Sequence, residues 1–123
     1  MGKGVLAVVA GLAVWVALTA VAGVVMRAAW PAYASVADAM TFTLPMMIAR
    51  LAIGAAATLA AGFVAAAVAR RSAVVAVVCG ALLLAGFIPV HIGLWPKFPV
   101  WYHLTFLLSL VPLAFLGGRF GRA

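Results

Sequence analysis

The chain has 123 residues, of which 70% are hydrophobic and 7% are charged. A soluble domain of this length has too little interior to bury so much apolar surface, so the composition predicts that lipid surrounds most of the chain. The net charge of +7 does not indicate nucleic acid. The basic residues stand singly or in pairs between apolar segments, which is typical of membrane topology signals. Cys79 is the single cysteine, which excludes an internal disulfide.

The first apolar run covers 5–26, and its 22 residues are enough to cross a bilayer. We interpret this run as an uncleaved helix and not as a signal peptide. It exceeds the usual ~7–15 apolar residues of a signal sequence, and the nearest cleavage-like motif, at 32–34, lies well beyond it. In the connection that follows, Trp30 and Tyr33 suit a membrane–water interface, and Pro31 is suited to begin a short helix.

Three further apolar segments predict helices at about 44–69, 73–95 and 100–118. A tight turn at 70–72 and a proline-rich turn at 95–99 connect them. Because short loops join consecutive helices, the pattern predicts an all-α integral membrane protein, an antiparallel four-transmembrane-helix bundle. We find no linker or internal repeat, so 1–123 is predicted to form a single domain.

The basic residues predict the orientation of this bundle. Four crossings place both termini and the 70–72 turn on one membrane face, which carries Lys3, Arg70, Arg71, Arg119 and Arg122. The opposite face carries Arg27 and Lys97, with Arg50 just inside it. Lys and Arg are enriched on the cytoplasmic side of membrane proteins, so we expect both termini in the cytoplasm of a bacterial-type inner (plasma) membrane.

Two rows of mostly small residues at four-residue spacing are candidate helix-packing surfaces. The second helix carries Gly54, Thr58, Gly62 and Ala66, and the first carries Gly11, Trp15, Thr19 and Gly23. Small residues let membrane helices approach closely. Laid antiparallel, the two rows would place Trp15 opposite Gly62 and Thr19 opposite Thr58. The rows could serve packing within one chain or between copies, and a chain this rich in Ala and Gly can also produce them by chance.

Two histidines are candidates for a ligand site at the outer membrane face. His91 and His103 lie six residues before and six residues after Lys97, so a helical hairpin would hold them at similar depth. With Met46 and Met47, they are the residue types that bind copper, and two facing histidines could also hold a haem. The alternative is that histidine is an ordinary interfacial residue and methionine an ordinary apolar filler.

Arg50 is a second candidate, because an arginine inside a membrane span is costly unless it is paired or hydrated. It could bind an anionic lipid head group, a quinone oxygen or a partner's carboxylate, or its side chain could simply extend outward to water. Asp38, the only acidic residue, is predicted to neutralise Arg27 or Arg50 or to be a solvated loop carboxylate.

The sequence offers little support for catalysis. It lacks the second carboxylate that an acid–base pair needs, and no nucleophile or phosphate-loop motif is present. We therefore expect a small non-catalytic subunit, assembly factor or homo-oligomeric component of the inner membrane. Its expected partners are the lipid bilayer and either further copies of itself or a larger membrane complex, and not nucleic acid. Two alternatives remain: a module that binds haem, copper or quinone through His91 and His103, and a subunit of a small-solute or anion transporter with Arg50 in the pathway.

Overall fold

The computed structural model describes residues 2–69 and 73–122, and all the regular structure in these residues is helical. The five α-helices are α1 (Gly2–Ala29), α2 (Pro31–Ala37), α3 (Leu44–Val68), α4 (Ala73–Gly93) and α5 (Val100–Arg122). A 3₁₀ turn at Trp95–Lys97 lies within the predicted proline-rich turn. The predicted turn at 70–72 lies outside the described residues.

Four of these helices, α1, α3, α4 and α5, are long and apolar enough to cross a membrane. Their candidate spans cover 20 to 26 residues, and about 20 helical residues cover the ~30 Å of a bilayer core. The prediction of four long apolar helices is therefore confirmed, as is the short helix that begins at Pro31. The chain has the organisation of a multi-pass membrane protein.

Small residues let α3 pack closely against two neighbours at once. Ala61 and Ala65 are fully buried, and the carbonyl of Ala61 lies 2.8 Å from where a Cβ on Gly11 of α1 would stand. On another side of α3, a Cβ on Gly62 would overlap the backbone of Ala114 in α5. The predicted row on α3 thus serves mainly the contact with α5, and a side chain larger than hydrogen has no room there.

The register between α1 and α3 differs from the predicted pairing by one helical turn. Trp15 lies opposite Thr58, and its indole Nε1 donates a hydrogen bond of 3.1 Å to the Thr58 hydroxyl. The predicted pairing of Trp15 with Gly62 is wrong because α5 occupies the Gly62 surface. Thr19 instead donates to carbonyls of its own helix, at Trp15 and Val16.

The connections after α1 and α4 meet at the same end of the bundle. We call this end the aromatic end: it comprises α2, the loop 38–43 and the Trp95–Lys97 turn. Lys97 Nζ donates to the carbonyl of Ala39 at 3.4 Å, which links the two connections. At the surface, Arg27 forms an ion pair of 3.1 Å with Asp38, and both side chains are more than half exposed. Asp38 therefore pairs with Arg27, which is one of its predicted roles, and it is also exposed to solvent in a loop, which is another.

Candidate functional site: a pocket around Arg50 at the aromatic end

A pocket of about 240 Å³ lies among α1, α3, α4 and α5, next to α2. Its polar lining residues are Thr19, Tyr33, Arg50, His91 and Tyr102, and its aromatic wall is formed by Trp15, Phe87, Phe98 and Phe106. A mostly aromatic cavity with a few converging polar groups is the usual form of a small-molecule site.

Arg50 is held in this pocket by two phenols and by the faces of two rings. Its Nη1 donates to the hydroxyl of Tyr33 at 2.8 Å, and its Nε donates to the hydroxyl of Tyr102 at 3.1 Å. Its Cζ lies 4.6 Å from the centre of the Phe42 ring and 5.8 Å from that of Phe98. These cation–π contacts and hydrogen bonds fix the guanidinium without neutralising its charge.

No carboxylate side chain is left to neutralise Arg50. Asp38 is the only acidic residue of the chain, and it pairs with Arg27 at the surface, where its side chain is 92% exposed. The guanidinium also keeps free hydrogen-bonding capacity, since Nη2 takes part in neither bond to tyrosine. Among the described residues no buried side-chain nitrogen lacks a partner, so this unbonded Nη2 must be accessible. Arg50 therefore lines the pocket as a cation whose Nη2 keeps unused N–H donors.

The two histidines are brought together, as their spacing around Lys97 predicted. The Nδ1 atoms of His91 and His103 lie 2.7 Å apart, which is a hydrogen-bond distance. The Nε2 of His103 lies 3.3 Å from the backbone carbonyl of Trp95. Both imidazoles are buried, with exposed fractions of 5% and 0%. The pair connects the end of α4 to the start of α5, and His91 also lines the pocket.

The other candidates for metal binding are two methionines in the first turn of α3. Met46 is buried in a cluster with Tyr33 and Ala37, and Met47 is half-buried. In the described part of the chain, no three His, Cys, Asp or Glu residues are grouped to hold a metal. A metal bridging two imidazoles with bonds of about 2.0–2.1 Å would need the nitrogens more than about 3 Å apart. Binding of copper or haem stays a prediction that requires the two rings to separate.

Sequence reasoning missed the hydrogen-bond partners of Arg50. It assigned Tyr33 only to the membrane interface and gave Tyr102 no role with Arg50. The sequence contains one general signal: a single acidic residue cannot neutralise both Arg27 and Arg50, so one of the two arginines needs neutral acceptors or an external anion. Tyrosine hydroxyls near the same membrane face are one class of neutral acceptor, but this signal does not identify which tyrosines bind Arg50.

No family model, curated protein or solved structure matches this chain. A proposal about function therefore rests on the chemistry of the pocket.

Proposed function

We propose that this chain is a non-catalytic component of a bacterial-type inner membrane whose pocket at the aromatic end binds the anionic head group of a membrane amphiphile. The observation that carries the proposal is the Arg50 guanidinium, which lines the pocket and has no acidic side chain to neutralise it. In this proposal the four long helices cross the membrane antiparallel, and both termini lie in the cytoplasm.

Contacts along the helices support the antiparallel arrangement. In the pairing of α1 with α3, Gly11 approaches Ala61 while Trp15 bonds Thr58, so residue numbers rise in one helix as they fall in the other. The same holds for α4 and α5, whose contacts are His91 with His103, Gly80 with Ala114 and Ala76 with Gly118. The excess of Lys and Arg at the opposite end from the pocket favours a cytoplasmic location for that end.

Charge is the reason for expecting an anion. A cation in a membrane span is unfavourable by a few kcal/mol or more, and neutral phenols reduce that penalty without removing it. A bound phosphate or carboxylate would supply the missing negative charge and accept charge-assisted hydrogen bonds from Nη2 of Arg50. The planar guanidinium is well suited to both anions.

The walls of the pocket favour an amphiphile over a free ion. Its lining is largely aromatic and aliphatic, including Phe87, Val90 and Leu94 of α4. Gly23 of α1 also lines the pocket. A Cβ added to Gly23 would have no atom within 4 Å, so there is open space beside this residue. Val90 is 44% exposed. An apolar tail could therefore leave the head-group site between α1 and α4 and enter the lipid.

Lipid competition tests this proposal. Protein purified in mild detergent would be incubated with equal amounts of phosphatidylethanol, which is anionic, and phosphatidylcholine, which is zwitterionic, with matched acyl chains. Native mass spectrometry then counts the lipids retained and gives the number of chains in each complex. One hydrogen bond to a charged group contributes about 1.5–3 kcal/mol. We therefore expect at least about tenfold preference for the anionic lipid.

Three variants separate the charge from its surroundings. Arg50→Gln should abolish the anionic preference. Tyr33→Phe removes a hydrogen bond to the same guanidinium but keeps the charge, so the preference should persist. Arg27→Gln removes a cation at the same end of the bundle but outside the pocket, and it should change nothing. The proposal is refuted if the wild-type protein shows no preference, or if folded Arg50→Gln retains it.

A further inference from the structure

The hydrogen bonds of the histidine pair define which nitrogen carries each proton. The backbone carbonyl of Trp95 can only accept, so Nε2 of His103 donates to it. In a neutral imidazole the other nitrogen is then unprotonated, so Nδ1 of His103 accepts a hydrogen bond. Nδ1 of His91, 2.7 Å away, must therefore be the donor. It follows that Nε2 of neutral His91 carries a lone pair and no proton.

This lone pair is accessible from the pocket. The His91 side chain is 5% exposed and lines the cavity. Its Nε2 has no hydrogen-bond partner among the described residues. In that part of the chain, every fully buried side-chain nitrogen does have a hydrogen-bond partner. Nε2 is therefore not fully buried, and because His91 lines the pocket we take the pocket as the space that Nε2 faces. His91 presents an unused acceptor where Arg50 presents unused donors.

Tyr102 connects the two groups. Its ring stacks on the ring of His91 with centroids 6.3 Å apart and an interplanar angle of 25°. Its hydroxyl accepts the hydrogen bond from Nε of Arg50 at 3.1 Å. The cation and the acceptor are thus held by one side chain on the wall of one cavity. A ligand that satisfied both would need an anionic oxygen and a hydrogen-bond donor within a single head group.

We infer that the pocket selects an anionic head group that also carries a hydroxyl, with the anion bound by Arg50 and the hydroxyl donating to Nε2 of His91. This inference rests on the proposed function and narrows its ligand class. A glycerol phosphate head group has the required groups: a phosphate that keeps one negative charge and hydroxyls a few bonds away. A head group with the same charge but no hydroxyl would leave the His91 acceptor unpaired in a largely apolar cavity, which is unfavourable.

Phosphatidylglycerol and phosphatidylethanol make a matched pair of probes. Both are phosphate diesters with one negative charge, and with the same acyl chains they differ only in the head group, where glycerol adds a hydroxyl and a hydroxymethyl group to the ethyl group. In the same mass-spectrometric competition, we expect the wild-type protein to retain phosphatidylglycerol about tenfold better, which corresponds to one hydrogen bond. Equal retention of the two lipids would overturn this inference and leave the proposed binding of an anion intact. Failure of both lipids to exceed phosphatidylcholine would overturn the proposed function itself.

Two amide substitutions at His91 identify the atom responsible. His91→Asn places an amide near the position of Nδ1, so it can keep the bond to His103 but has no group at the position of Nε2. It should reduce the tenfold preference for phosphatidylglycerol over phosphatidylethanol to about one. His91→Gln reaches the position of Nε2 and should restore part of the preference. Melting temperatures of both variants in detergent confirm that they are folded, and a preference that survives in folded His91→Asn would overturn the inference.

A soluble competitor separates two sources of the same head group. Glycerol 1-phosphate at millimolar concentration either displaces bound phosphatidylglycerol or does not. Displacement identifies a free phosphate ester as a sufficient ligand, whereas resistance shows that the acyl chains contribute to binding. Either result supports the shared chemistry of an anion beside a hydroxyl, provided that Arg50→Gln eliminates the binding. Binding that persists in folded Arg50→Gln contradicts it.

Discussion

Replacing Thr58 by valine would remove the acceptor of a buried hydrogen bond between α1 and α3. Trp15 and Thr58 have exposed fractions of 8% and 1%, and the Trp15 indole N–H has no other acceptor among the described residues. Valine has nearly the shape of threonine, so the packing of the two helices is retained. The substitution therefore isolates the cost of leaving one buried donor unpaired.

The expected magnitude is about 1–2 kcal/mol of unfolding free energy. An unpaired buried donor costs about 1–3 kcal/mol in soluble proteins, whereas hydrogen bonds between membrane helices average only about 0.6 and reach about 1.7 kcal/mol. The Thr58 hydroxyl also donates to the carbonyl of Gly54 at 2.7 Å, and that bond is lost as well. In a double-mutant cycle with Trp15→Phe, the bond from Thr58 to Gly54 is lost both with and without the tryptophan. Its contribution therefore cancels from the coupling free energy.

The assay is unfolding by sodium dodecyl sulfate in mixed micelles, followed by circular dichroism, for Trp15→Phe, Thr58→Val and the double variant. We expect a coupling free energy of about 1 kcal/mol between the two positions. The matched control is Thr19→Val combined with Thr58→Val, because Thr19 donates only within its own helix. A Trp15–Thr58 coupling below about 0.3 kcal/mol would refute the reasoning. If Thr19 and Thr58 were coupled instead, the result would support the register predicted from the sequence, in which these two residues face each other.

Two further predictions concern packing and surface charge. Gly62→Val should strongly destabilise the fold, because its Cβ would overlap the backbone of α5. The control Gly23→Ala adds a Cβ in open space and should change the unfolding midpoint little. A similar loss of stability in both variants would contradict the packing described for α3. Asp38→Asn should lower the unfolding free energy by less than about 1 kcal/mol, because its ion pair with Arg27 is exposed. A larger loss that high salt does not reduce would show that Asp38 has a second role.

The helical spans could be predicted from the sequence because lipid imposes a simple requirement. A backbone in hydrocarbon must satisfy its own hydrogen bonds, so a long uncharged run between basic residues has to be a helix. Local chemistry was equally informative at Pro31, whose ring is suited to a first helical turn. The meeting of His91 with His103 could be anticipated for a similar reason, since a short turn joins their two helices.

The pocket could not be predicted in the same way, because its groups come from separate elements. Arg50 stands on α3, and its two hydroxyl partners come from α2 and α5. Nothing in the local sequence of Tyr33 or Tyr102 indicates an arginine that lies 17 or 52 positions away. Only the packing of α2 and α5 around the start of α3 brings these groups to one cavity.

The sequence by itself determined the helices, their apolar surroundings, and a surplus of cations that one acidic residue cannot neutralise. Tertiary structure decided which surfaces meet and which cation lies in the pocket. The physical reason is that rows of small residues fit together almost equally well after a slip of one helical turn. A single directional bond, from Trp15 to Thr58, and the backbone contact at Gly62 distinguish one register from the next.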